Sequence, residues 1–321
     1  MANLEEQVVA TLFSQRDNTA DVVMKHHPLL SILKDEGRYK KRSLGYEIRK
    51  ATLYNDTQVG GFYSGYEAFD LDAQPDLTAF RFSIKQAYEP FALSGREKRA
   101  NRDEEQLLDL VEEKMTATLS RLKNLVSTSI RGDGTAYGGR EFDGIKKMIS
   151  ITPTSGTYGQ IDRSVAANAW ARNAVNNVAL TSTNIQSEIT ETILPITRGS
   201  DSPNVGFAGA TAWKNLHSSM TAIQRINDSS KSGRAGFKEL YFNGVRFFFD
   251  GGFGGSVIGT NYVYLLNTEY ITFEVDSQAD FVPLAPKMDR PTDQDAFFTV
   301  IIAEGNLTCS APALQAVIYD A

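Results

Sequence analysis

The sequence predicts an α+β protein. Three observations carry that reading: a stretch with helical periodicity over residues 95–130, an alternating segment just before it, and aromatic, β-branched runs through residues 241–321. The chain has 321 residues, enough to bury a substantial core as one large domain or two to three subdomains. A hydrophobic content of 41% excludes a disordered chain. The net charge of -6 argues against a protein that reads DNA sequence through a basic face, though not against passive contact with nucleic acid.

Residues 1–42 read as an N-terminal arm ordered by its neighbours, or as a disordered tail. "LEEQVVATLFSQ" offers a short amphipathic helix, and "ILKDEGRYKKR" is too charged for a core. The start lacks the basic end and apolar middle of a signal peptide, and no apolar run reaches membrane-spanning length. Synthesis in a cytoplasm, with no membrane partner, is therefore expected.

Residues 43–92 read as a long hairpin-like excursion. In "LTAFRFSIKQAYEPF", Phe80, Phe82, Ile84 and Tyr88 fall on one face, broken by Gln86, with Arg81, Ser83 and Lys85 on the other. The glycine- and aspartate-rich connection is long for a compact domain. Its aromatics, Phe62, Tyr63, Tyr66 and Phe69, need either a partner chain or their own core beneath them.

Residues 95–130 contain no proline and repeat Leu108, Val111, Met115, Leu119, Leu122 and Val126 at three and four residues, opposite Glu105, Asp109, Glu113 and Lys123. One helix of about 50 Å follows. It stops at Arg131-Gly132-Asp133-Gly134. The following "GDGTAYGGREFDG" lacks the Gly-Lys-Ser/Thr ending of a phosphate loop, and nothing marks a secreted adhesion protein, so this is a helix exit.

Downstream, "IKKMISI" is a short helix or strand. A helix is expected over 183–194, with Ser182, Thr183 or Asn184 as N-cap. "SPNVGFAG" reads as a buried strand or turn. A further helix places Trp213, Leu216, Met220, Ile223 and Ile226 near one face. Asn243-Gly244 marks a hairpin. The last segment supplies two strands, with a turn at Glu304-Gly305.

Chemistry is hard to find. The lone Cys309 permits no intrachain disulfide and reads as a buried structural thiol. His26, His27 and His217 form no metal pattern. Asp70, Asp72 and Asp76 begin a calcium-like alternation but lack its glycine and closing glutamate. No nucleophile elbow, acid–base pair or cofactor site assembles, so no catalytic residue, metal or cofactor is expected. Arg38, Lys40, Lys41 and Arg42 are the best candidates for touching phosphates without reading bases.

The order of elements resembles the major capsid proteins of tailed bacteriophages, with the fold first described for phage Hong Kong 97. "GTYGQIDRSVAANAWARN" supplies Gly156, Gly159, Ile161, Asp162, Arg163 and Trp170 at positions of a Gly-x-x-Gly-x-Ile-Asp-Arg segment followed by tryptophan. "EFDGI" is similar to a Leu-Asp-Gly-Leu turn, with Phe142 in place of the aliphatic. The resemblance covers nearly the whole chain. It implies an N-terminal arm (1–42), an extended β-hairpin loop (43–92), a long spine helix and the start of a peripheral domain (93–149), a mainly axial domain (150–240) and a β-rich return through both (241–321). It also implies self-assembly from pentamers and hexamers into an icosahedral head around double-stranded DNA held by non-specific contact, with scaffolding, portal and decoration proteins as further partners. Phe62, Tyr63, Tyr66, Phe69, Asp162 and Arg163 become candidate intersubunit or interdomain contacts. Two alternatives are an encapsulin-like compartment shell and a small-molecule or carbohydrate-modifying enzyme.

Overall fold

The computed structural model describes residues 27–54, 62–66, 77–100, 104–220, 239–251, 257–284 and 295–320. It opens with helix α1 (Pro28–Asp35), whose leucines and isoleucine are buried, followed by strand β1 (Tyr39–Arg42). Residues 28–42 thus pack on their own subunit: Ile32 and Leu33, inside the segment expected to be too charged, belong to the core.

Strands β2 (Glu47–Leu53) and β3 (Leu77–Ser83) form the expected antiparallel hairpin, with Leu53 opposite Leu77. The alternating segment does not continue as one strand. It breaks at Ile84, and β4 (Lys85–Ser94) leaves for another sheet. Even-numbered Phe80 and Phe82 face inward on β3, whereas odd-numbered Phe91 and Leu93 do so on β4. A strand's side-chain period is two, so the unpaired residue at 84 flips the facing set. Tyr88, expected beside Phe80, is exposed.

The helical stretch gives α2 (Gly95–Ala100) and α3 (Glu104–Arg131). At 28 residues, α3 is about 42 Å long. Met115, Leu122, Val126 and Ile130 are buried, Leu119 is half-buried and Glu113 is exposed, as the periodicity requires. The side chains of Leu108, Val111, Glu105 and Asp109 lie outside the described residues.

A short helix α4 (Ile145–Met148) comes next, then two-residue strands β5 (Thr157–Tyr158) and β6 (Ile161–Asp162), and β7 (Ala174–Asn177). Helix α5 (Ile185–Ile196) carries Pro195 in its last turn. Strand β8 (Val205–Ala208) is wholly buried and leads to α6 (Ala210–Ser219). Trp213, Leu216 and Met220 point to the core side of α6, while Ile223 and Ile226 lie outside the described residues. Asn243 (φ 49°) and Gly244 (φ 81°) make the predicted turn between β9 (Glu239–Phe242) and β10 (Val245–Phe249). Strands β11 (Tyr262–Leu266), β12 (Ile271–Asp276), β13 (Val282–Pro283), β14 (Ala296–Cys309) and β15 (Ala316–Tyr319) complete the chain.

The expected turn at Glu304-Gly305 is not there. Both residues lie inside the 14-residue β14, which pairs with β4 on one edge and with β12 and β13 on the other. A Cβ on Gly305 would sit 2.2 Å from the Glu274 carbonyl oxygen. The glycine serves close strand approach, not reversal.

Two sheets organise the molecule. One has β14 at its centre, with β4, β12, β13 and β1; β1 runs parallel to β12 at the edge. The other has six strands in the order β7-β15-β11-β8-β10-β9. Its alternating side chains feed two cores. Val263 and Leu265 join Phe247 and Ile318 against α5 and α6. Tyr264 and Leu266 join Phe207, Phe248 and Val317 in the larger core shared with α1, α3 and the hairpin. Both faces being covered explains why "VYLL" reads as continuous rather than alternating apolar sequence.

Candidate functional site

The hairpin is anchored at one end and bare at the other. At its root, Ile48, Phe80 and Phe82 are buried, and the Phe80 ring meets Tyr158 and Trp170 at centroid distances of 5.7 and 5.2 Å. Lys50 Nζ reaches the buried Glu274 carboxylate on β12 at 2.5 Å, and burial lowers the Lys50 pKa. Thr52 donates to the Ser310 carbonyl at 2.8 Å. Asn306, wholly buried, donates to the Ser83 carbonyl and to Asp143, each at 3.0 Å, and accepts from the Asp143 amide at 2.8 Å. These contacts fix β2 and β3 along their length.

Leu53 and Leu77, paired across the open end, are exposed. Beyond them, Phe62 and Tyr66 are fully exposed at 108% and 107%, and Tyr63 is 64% exposed. Phe69 lies outside the described residues. The three described aromatics are thus largely exposed on the single chain.

Asp162 and Arg163 part company. Asp162 is exposed and its Oδ1 accepts from the Ser164 amide at 2.8 Å; hydrogen bonding from the Ser164 side chain, and then from its backbone, holds the Asp162 carboxyl below the ordinary value. Arg163 is 2% exposed: Nη2 donates to the Met148 carbonyl at 2.6 Å and the guanidinium lies over the Tyr158 ring at 4.8 Å. Burial lowers its pKa. Arg163 thus ties the β5–β6 turn to α4 within one chain. The Tyr158 hydroxyl accepts from the amide of Cys309, a buried thiol pushed up to about 12 by burial.

Two cations of the basic run at 38–42 face carboxylates of their own chain. Lys41 pairs with the buried Asp280 at 2.5 Å, and Arg42 lies 3.9 Å from Glu274. Tyr39 donates to the same Asp280. These cations offset buried carboxylates at the sheet edge, a role no local sequence pattern announces. Arg131 was also missed: the arginine of the Arg-Gly-Asp triplet is the last residue of α3, buried, and paired with buried Asp250 at 2.8 Å.

A groove of about 610 Å³ runs between β4 and α3, lined by Tyr88, Pro90, Leu125, Val126 and Phe142, with Tyr137 at its margin. Tyr137 is exposed and takes a left-handed backbone (φ 52°), followed by Gly138 and Gly139 at 69° and 79°. Non-glycine residues rarely adopt that conformation, and here Lys85 Nζ holds the turn through the Gly139 carbonyl. Among the described residues, no group of three or more His, Cys, Asp or Glu side chains is arranged to hold a metal ion.

No protein-family profile and no curated protein sequence matches the chain. Solved structures do. A cyanophage A-1(L) capsid protein superposes with a TM-score of 0.65 at 12% identity, covering 88% of this chain and 90% of that one. The capsid of a native GTA particle gives 0.58 at 10% identity, with 89% of each chain covered. A virus-like particle from Pyrococcus furiosus gives 0.53 at 11% identity, over 96% of this chain and 99% of that one. The chain has the Hong Kong 97-like fold. At these identities the likeness is one of fold, and it spans the chain nearly end to end.

Proposed function

We propose that this chain is the major capsid protein of a tailed bacteriophage, assembling through pentamers and hexamers into an icosahedral head around double-stranded DNA. The observation that carries the reading is the whole-length Hong Kong 97-like fold combined with a hairpin whose aromatic tip stands off its own subunit. In this reading α3 is the spine helix, β2–β3 the extended loop, the β14-centred sheet the peripheral domain and the six-stranded sheet the axial domain. The chain from 241 onward contributes to both sheets, which supports the expected return path. A shell subunit buries surface against copies of itself, and closed symmetry repeats each contact. Assembly takes place in a host cytoplasm, with scaffolding, portal and decoration proteins as further partners.

Light scattering after size exclusion and negative-stain microscopy test this directly. Capsomers or closed shells are the expected result. A chain that stays monomeric at all concentrations, even with scaffold supplied, overturns it. A second reading is a compartment shell that encloses protein: the likeness to a virus-like particle from Pyrococcus furiosus, over 96% of this chain and 99% of that one, fits a closed shell of either kind. Nuclease-protected DNA inside recovered particles supports the phage head, whereas protein cargo without DNA supports the compartment.

A further inference from the structure

One edge of the β14-centred sheet is half capped and half open. Among the described strands β4 pairs with β14 alone, so its other side is a free edge. Successive residues of a strand aim their N–H and C=O groups to opposite sides. On β14, the Val300 carbonyl and the Glu304 amide turn away from β4, toward the Leu284 amide and the Ala279 carbonyl. Odd-numbered β14 residues therefore bond β4. By the register, Ala87 and Glu89 answer them, while Gln86, Tyr88, Pro90, Ala92 and Ser94 point off the edge. Proline fits at 90 because its missing N–H would have pointed outward.

At 92–94 the edge is closed. Lys114 Nζ donates to the Ala92 carbonyl at 3.3 Å, and Glu97 accepts the Ser94 amide at 2.9 Å. At Gln86, Tyr88 and Pro90, no described residue takes the outward backbone groups. This open stretch is one wall of the 610 Å³ groove, whose apolar floor is Leu125, Val126 and Phe142. A recessed strand edge above an apolar floor suits strand addition: backbone bonds attach the incoming segment and side-chain pockets select it.

The hairpin tip has the matching chemistry. Phe62 and Tyr66 are bare, and residues 62–64 run without helix or turn into Gly65 (φ 61°). Over 54–76 the sequence holds the carboxylates Asp56, Glu67, Asp70, Asp72 and Asp76 and no lysine or arginine. At the groove's margin Arg121 already matches Glu89, Lys85 rests on the neutral Gly139 carbonyl, and Arg140 is exposed beside Glu141. A copy's own tip is remote from its own groove. It lies beyond Leu53 and Leu77, and the path from Leu77 to Gln86 is extended apart from the break at Ile84, about 30 Å in all.

We propose that the tip of one copy docks in the groove of the next, adding its backbone to the open edge of β4 and its rings to the floor below. This rests on the shell reading above and names the surface that receives the tip. The contact is heterologous, so it repeats head to tail and closes into rings. Two aromatic rings bury about 150–250 Å² each, well below the ~1,600 Å² of a stable pairwise interface, so the contact depends on repetition and is read in assemblies.

Two measurements on the full chain test it. In isolated subunits the Gln86 and Tyr88 amides should exchange fast and those of Ala87 and Glu89 slowly. On assembly the first two should slow by about tenfold or more while the others stay slow. The second measurement is cross-linking. The single native cysteine, Cys309, is buried, so Phe62→Cys and Tyr137→Cys together supply an accessible pair. A short bismaleimide should link them into a ladder of covalently joined copies. Phe62→Cys with Leu284→Cys, an exposed site next to β13 on the other side of β14, should give none. Adding Tyr88→Pro, which removes an outward donor, should abolish the ladder, whereas Tyr88→Ser keeps the donor and should retain it. Particles that form with no ladder, a ladder of equal yield at Leu284→Cys, or Gln86 and Tyr88 amides that stay fast after assembly each overturn the docking and leave the shell reading standing. A ladder that survives Tyr88→Pro, or is lost with Tyr88→Ser, overturns the backbone pairing. Should Tyr88→Pro not fold, the cysteine pair in unaltered β4 still decides. A wild-type chain that never assembles overturns both readings.

Discussion

The root and the tip of one hairpin obey opposite rules. At the root, the hairpin is held by other elements: Phe80 by Tyr158 and Trp170, Lys50 by Glu274, and the Ser83 carbonyl by Asn306. At the tip, Phe62 and Tyr66 are bare. A two-stranded ribbon is marginal alone in water. The chain's own core stabilises the first half of this one, whereas the described aromatics of the second half are exposed. The changeover falls at Leu53 and Leu77, the last pair of the ladder.

The sharpest way to break the root is Phe80→Ala. The side chain is fully buried among aromatic rings, so the loss of transfer energy and the cavity left behind should cost about 3–5 kcal/mol. Denaturant titration of the subunit or capsomer measures it. A cost below about 1 kcal/mol would place the hairpin root outside the cooperative core.

Asn306→Ala should cost somewhat less, about 2–3 kcal/mol, by stranding the Asp143 amide and the Ser83 carbonyl in a buried place. Because Asn306 bolts Ser83 to β14, hydrogen exchange should rise in β3 before it rises in β12. Uniform loss of protection across both strands would mean that the bolt serves the whole sheet rather than the hairpin.

How much of this contrast was readable beforehand depends on range. The alternation of Phe80 and Phe82, the period of α3 and the Asn243-Gly244 turn are local signals, and each appears where the sequence places it. The flip at Ile84 was hidden because β3 and β4 are continuous in sequence and apolar on alternate residues, while their partners lie elsewhere: β2 for one, β14 for the other. Gly305 looked like a turn because a glycine after a polar residue carries the same local signature in a turn and at a close strand crossing. Only Glu274, 31 residues earlier in the chain, distinguishes them. The neighbours Asp162 and Arg163 look equally polar in sequence, yet one is solvated and the other is buried over Tyr158. The exposed aromatics were legible as a choice between two outcomes. Local sequence carries no term for what lies beneath a loop.

Lys50→Met probes the root more gently. It removes the close cation from Glu274 but keeps an apolar stem and leaves Arg42 at 3.9 Å. Burial already disfavours the charged lysine, so the loss should be about 1–2 kcal/mol, below the usual cost of breaking a buried pair. Adding Arg42→Met should cost more than the sum of the two single changes, since the double variant strands the Glu274 carboxylate. Strict additivity would show that the two cations do not share that carboxylate.

The smallest effect on the subunit should come from the tip. Phe62→Ser and Tyr66→Ser remove apolar surface that touches nothing in the described chain, so subunit stability should move by less than about 0.5 kcal/mol. If the tip is a contact between copies, the same changes should impair capsomer or shell formation, because aromatic anchors supply a large share of interface energy. Hydrogen exchange gives the independent reading: low protection of residues 62–66 in isolated subunits and higher protection once assembled. A double variant that destabilises the lone subunit as Phe80→Ala does would erase the distinction between root and tip. One that leaves both stability and assembly untouched would keep the distinction and remove the tip from the contact, turning attention to the groove between β4 and α3, where Tyr88 and Tyr137 present further exposed aromatic surface.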